Sequence, residues 1–108
     1  MLQKIIDAYK FWHSFLEHIP KLSRYTLGVR IDTVFVELSE DIFSIAYAGS
    51  DKKSKKLGIA SVRLDRLKFL LKLAWNIGAL DTKKYAAISI PLAEIGRIIG
   101  GWKQQLKS

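Results

Sequence analysis

The chain has 108 residues, no cysteine and 49% hydrophobic residues, enough for one domain with a core of its own. The absence of thiols excludes disulfides and thiolate metal centres, and no apolar run approaches the ~18 residues a membrane span needs. The N-terminus lacks the basic, apolar and small-residue succession of a secretory leader, so a cytoplasmic protein is expected, and a basic one, with a net charge of +8.

The first predicted helix covers residues 2–19, where Leu2, Ile5, Tyr9, Trp12, Leu16 and Ile19 recur at alternating spacings of 3 and 4. Pro20 cannot continue it. Ser23 is a candidate cap for a second helix over 23–48, whose seam is Leu27, Ile31, Val34, Leu38, Ile42 and Ile45. Gly49 is suited to a left-handed C-terminal cap, and Gly49 to Ser54 reads as the longest flexible break. A third helix, 55–78, carries Leu57, Ala60, Leu64, Leu67, Leu71 and Ala74. Asp81 or Thr82 caps a fourth, 82–106, with Tyr85, Ile88, Leu92, Ile95, Ile99, Trp102 and Leu106 in register. Pro91 falls inside that helix, where it removes a backbone bond at a cost of ~3 kcal/mol, and a kink over 87–91 is expected. No period-2 stretch bounded by turns is present. The pattern predicts an all-α, up-down-up-down antiparallel four-helix bundle occupying the whole chain.

One apolar stripe per helix would suffice for such a bundle, yet the third helix has two. Ile59, Val62, Phe69, Leu73 and Ile77 cluster roughly 145° from its seam. On the second helix Tyr25, Val29, Val36, Phe43 and Tyr47 lie off the seam, and Phe11 and Phe15 add aromatic area on the first. Either the apolar arcs are simply wide, or these faces meet other subunits of a homo-oligomer. Arg63 and Arg66 border the second face of the third helix, where they would pair with Glu37, Glu40 or Asp41 of a neighbour.

The charge is unevenly distributed. Residues 1–48 hold five bases and six acids, whereas residues 49–108 hold thirteen bases and four acids. A concentrated positive surface attracts polyanions, nucleic acid above all; the plain alternative is solvation of polar helix faces. Lys52, Lys53, Lys55, Lys56, Lys68, Lys72, Lys83, Lys84, Lys103 and Lys107 are the candidate phosphate contacts. Such contacts do not distinguish RNA from DNA or an RNA–DNA hybrid. Trp75 and Tyr85 are capable of stacking on bases, although Tyr85 also lies on the core seam. His13 and His18, five apart, do not share a helix face, and no Glu-x-x-His pair, nucleophile–base pair or phosphate-cradling glycine loop is present. Neither an enzyme nor a metal or cofactor site is expected.

Three stretches carry a family resemblance: Pro20 to Arg30 (PKLSRYTLGVR), Leu64 to Ala74 (LDRLKFLLKLA) and Glu94 to Trp102 (EIGRIIGGW). They resemble the accessory variability determinant proteins of diversity-generating retroelements, which belong with the four-helix-bundle proteins encoded by intervening sequences of 23S ribosomal RNA genes. The resemblance implies ring-like homopentamers with a basic surface, without catalytic activity. Such proteins bind the retroelement's reverse transcriptase and its template RNA and support error-prone copying into cDNA. Arg24 and Arg30 fall inside the first motif, as nucleic-acid contacts or as structural partners of nearby acids. Pro91 departs from the family's helical pattern. Two other readings fit the same bundle: an intervening-sequence protein without a polymerase partner, and a helical scaffold that binds only protein. Weak binding of nucleic acid, insensitive to salt, would mark the scaffold.

Overall fold

A computed structural model describes residues 1–107 of the chain. Four helices account for nearly all of them: α1 (Leu2–Phe15), α2 (21–46), α3 (Ser50–Asn76) and α4 (Thr82–Lys107). Each packs against its chain neighbours, and α4 closes on α1, so the helices form the four corners of an antiparallel bundle. At 1.5 Å per residue α3 alone spans about 40 Å, close to the 45 Å length of the molecule, which is 20 Å across in both other directions.

The core is the set of heptad seams brought together. Ile5, Ala8, Trp12 and Phe15 of α1 meet Ile31, Val34, Phe35, Leu38, Ile42 and Ile45 of α2. Leu57, Ala60, Leu64, Leu67, Leu71 and Ala74 of α3 and Ile88, Leu92, Ile95 and Ile99 of α4 complete it. No polar or charged residue among those described is buried. Phe15, expected outside, is buried in place of Leu16, while Leu106 runs off the end of the seam and stands 41% exposed.

Several helix ends differ from expectation, each for a local reason. The first helix stops at Phe15 and tightens into a 3₁₀ turn, Leu16–His18, before Ile19 turns extended ahead of Pro20. Pro20, not Ser23, precedes the second helix, and its extended backbone leaves Ser23 inside the first turn without a cap bond. Arg24–Gly28 is a π-helical segment in which the Val29 amide reaches back to the Arg24 carbonyl. Gly49 is not a left-handed cap: its φ is −68°, α2 has ended at Ala46, and Gly49 opens α3. The flexible break expected over 49–54 is helix from Ser50 onward, leaving only residues 47–49 as a connection.

The α3–α4 connection follows the sequence closely. Gly78 takes a φ of +79°, where a side chain would be strained. Leu80 folds back into the core, and its amide and that of Ala79 both reach the Ala74 carbonyl, at 3.2 and 2.9 Å. The Asp81 carboxylate accepts the Lys84 amide at 2.8 Å, a proper N-cap. Pro91 leaves α4 unbroken.

The tie between α1 and α2 is polar as well as apolar. One Asp32 oxygen accepts the Tyr9 hydroxyl at 2.8 Å and the Trp12 indole N–H at 3.1 Å. Phe35 packs edge-on to Tyr9 and stacked with Trp12, with ring centroids 5.6 and 6.4 Å away. Burial, then the hydrogen bond to Asp32 and its charge, push the Tyr9 phenol up to about 12. A phenol whose folded pKa is raised contributes stability below its unfolded value of 10.0 and loses it as pH climbs to about 12. Urea midpoints of the wild type should therefore fall more steeply than those of Tyr9→Phe across that interval; parallel curves would rule the coupling out.

Candidate nucleic-acid interface

The antiparallel arrangement sorts the lysines into places the linear order conceals. Lys52, Lys53, Lys55 and Lys56 occupy an arc of about 160° on the first turns of α3, with Lys52 and Lys55 exposed and Lys53 and Lys56 half-buried nearer the core side. Lys56 donates to the Ser44 hydroxyl of α2 at 2.6 Å, so its ammonium is turned towards α2. The C-terminal half of α4 lies at the same end, where Lys103 lines a groove with Ser61, Gly96, Gly100 and Gln104. Further along, Lys68 lines a second groove with Tyr85, Ser89 and Ala93. Lys72 is exposed one turn beyond. Lys68 crosses close over Gly96, where a Cβ would lie 3.3 Å from its nitrogen.

The α3/α4 side therefore carries lysines along much of its length. Trp75 and Tyr85 stack on one another near its far end, 4.6 Å apart and 6° from parallel, and the Trp75 N–H donates to the Thr82 hydroxyl at 3.0 Å. Lys83 is exposed at that end. Lys84 sits 3.8 Å from Asp81 and over the Phe15 ring, bridging α4 to α1. The Lys107 side chain falls outside the described residues. Arg30 is exposed on α2. Arg24 is engaged inside the chain, its Nη2 donating to the carbonyls of Glu17 at 2.8 Å and Ile19 at 3.0 Å, the last turn before Pro20.

The apolar residues off the seams are exposed, and they divide into two faces. On α3, Ile59, Val62, Phe69, Leu73 and Ile77 are between 38 and 63% exposed, opposite the core. On α2, Val29, Val36 and Phe43 lie a heptad apart at 40 to 55% exposure. Val36 and Phe43 line a groove shared with Ile6, Tyr9 and Lys10 of α1, about 450 Å³ in volume. The α2 stripe thus adjoins α1, away from α3.

Arg63 departs from its expected role of pairing with a neighbouring subunit. Its Nη1 donates to both oxygens of Asp41 in its own chain at 2.9 Å, tying α3 to α2. Burial nevertheless raises the Asp41 pKa, outweighing the lowering by Arg63, and the charges of Glu37 and Glu40 raise it further. Arg66 is exposed and makes no ion pair among the described residues.

Both histidines are exposed, and no cluster of three or more potential metal ligands exists among the described residues. No helix there is long and apolar enough to cross a membrane. The Tyr9–Trp12–Asp32 network escaped sequence reading, although a Trp buried on a core seam usually finds a partner for its N–H.

These features define an all-helical bundle with a basic side and two unpaired apolar faces. The chain belongs to the bAvd-like family, whose model matches residues 1–106, in agreement with the resemblance to accessory variability determinants. No curated protein and no solved structure matches it.

Because the Asp41–Arg63 pair is largely removed from water, breaking one half should be worse than removing both. Arg63→Met is expected to destabilise the monomeric unit by about 2 kcal/mol, and Arg63→Met with Asp41→Leu by less. Chemical denaturation of the two variants decides it.

Proposed function

We propose that the protein is a non-catalytic, cytoplasmic accessory factor of a diversity-generating retroelement. In this reading it binds a reverse transcriptase and its RNA, as a homo-oligomer of five subunits, and supports mutagenic reverse transcription. The observation that carries it is the family match over residues 1–106, nearly the entire chain. The charge pattern supports it independently. Val29–Ala46 holds one base against four acids, while Ser50–Asn76 holds eight bases against two. Each subunit is therefore polarised, with its positive side on α3 and α4.

RNA is guided along that side by Lys68, Lys72 and Lys103, and the lysines at the start of α3 form a separate basic patch towards α2 and the outer side of α3. Phosphate contacts of this kind supply affinity without reading sequence, and repetition around an oligomer multiplies weak individual contacts. The polymerase docks on another face of the assembly, which leaves the lysine track open to the template.

The test is RNA binding across a salt series. Changing Lys52, Lys53, Lys55 and Lys56 together to Glu should lower affinity by about a hundredfold at 0.1 M salt, with helix content unchanged by circular dichroism. Lys68, Lys72 and Lys103 changed to Glu should do the same. Binding that survives both sets of changes, or that ignores salt, would remove the nucleic-acid role. The reading expects a reverse-transcriptase gene beside this one, and co-purification of its product tests the second partner.

A further inference from the structure

We infer that the exposed face of α3 docks into the α1/α2 groove of a second copy of this chain, so that subunits join head to tail. This rests on the homo-oligomer proposed above, but not on the polymerase or the RNA. Three observations carry it.

The first is form. Ile59, Val62, Arg66, Phe69 and Leu73 follow spacings of 3, 4, 3 and 4 along the outer side of α3. That is the pattern of a helix that lays one face into a groove. The α1/α2 groove, floored by Ile6, Val36 and Phe43, is an apolar trough of about 450 Å³ between two helices.

The second is charge. Arg66, in the middle of the α3 stripe, makes no ion pair or hydrogen bond among the described residues. Glu40 on the groove wall is exposed and likewise unpaired. The α2 segment bearing the groove is acidic overall and α3 is basic, so a stripe-to-groove contact brings opposite signs together. Stripe against stripe would oppose Arg66 to Arg66, whereas Glu40, which shares the groove wall with Lys10, offers Arg66 an opposite charge.

The third is placement. Because α1 and α3 occupy opposite corners of the bundle, the stripe and the groove are different surfaces. A contact between them cannot be two-fold and self-complementary; it is heterologous, and it leaves one stripe and one groove free until the assembly closes.

Mixing two blocked variants tests this. Val62→Glu with Phe69→Glu spoils the stripe and leaves the groove intact; Val36→Glu with Phe43→Glu does the reverse. All four positions are at least 40% exposed, so circular dichroism should report an unchanged fold. By light scattering the wild type should form a multi-subunit assembly and each variant alone a 12.3 kDa monomer. An equimolar mixture should give a dimer and nothing larger. A monomeric wild type, a variant that dimerises alone, or a mixture that stays monomeric would overturn the pairing. In a separate chain, Arg66→Glu should weaken assembly at least about tenfold and Glu40→Arg should repair it, since a desolvated charge pair is worth roughly 1.5 kcal/mol or more; a loss that Glu40→Arg does not repair counts against it. RNA binding by the monomeric variants, read separately, shows whether the lysine track stands even where the pairing fails.

Discussion

Everything in this fold depends on one constraint: a narrow core that admits no charge. The bundle is 20 Å across, and its interior is filled by apolar side chains, those of the four helix seams with Phe15, Ile19, Phe35 and Leu80 added. A buried ion without a partner would cost several kcal/mol, so the charged residues stand outside this interior or at its margins. The molecule has 28 charged side chains to place, 18 of them basic. With the inside closed to them, their distribution over the four outer sides becomes the variable part of the protein. Asp32, half-buried beneath Tyr9 and Trp12, the Asp41–Arg63 pair, and Arg24, whose Nε is buried, mark how far charge reaches inward.

The same constraint gives the outer apolar residues their significance. A core this narrow is satisfied by one stripe per helix, so Val62 at 61% and Phe69 at 63% exposure leave most of their apolar surface in water. Large side chains left in water at regular helical spacing imply a second surface that removes them from it. The acidic α2 beside the basic α3 then acts within the chain as well as outside it: Arg63–Asp41 and Lys56–Ser44 fasten the two helices where their opposite characters meet.

Much of this was readable from the chain, and what was not had a common cause. Repetition at 3 and 4 residues placed the seams of α2, α3 and α4 because burial, the strongest force on a helix, imposes it over many residues. Asp81 was also readable, since a cap demands particular residue types within a few positions. Gly49 and Ser23 misled for the same reason in reverse. A glycine or a serine permits a cap without requiring one, and the short 47–49 connection and the Pro20 backbone decided those ends instead. The candidate surface was legible only as a list of lysines. Which of them converge is a property of helix direction: Lys103 shares a groove with Ser61 of α3 because α4 runs back along it. Arg63 shows the limit from the other side, since Asp41, five residues before the end of the preceding helix at Ala46, satisfied it within the chain.

The π-helical segment at Arg24–Gly28 has its own consequence for how this chain can change. A π turn holds one residue more than an α turn, so everything before it is rotated by about 100° relative to an unbroken helix. The corner made by Pro20 and the Arg24 guanidinium is thereby set at an angle independent of the core-facing phase of Ile31 and Val34. Loss of a single residue here would straighten the turn and leave the body of α2 in register. The segment works as an expansion joint, at which the chain tolerates a change of length while its heptads downstream do not move.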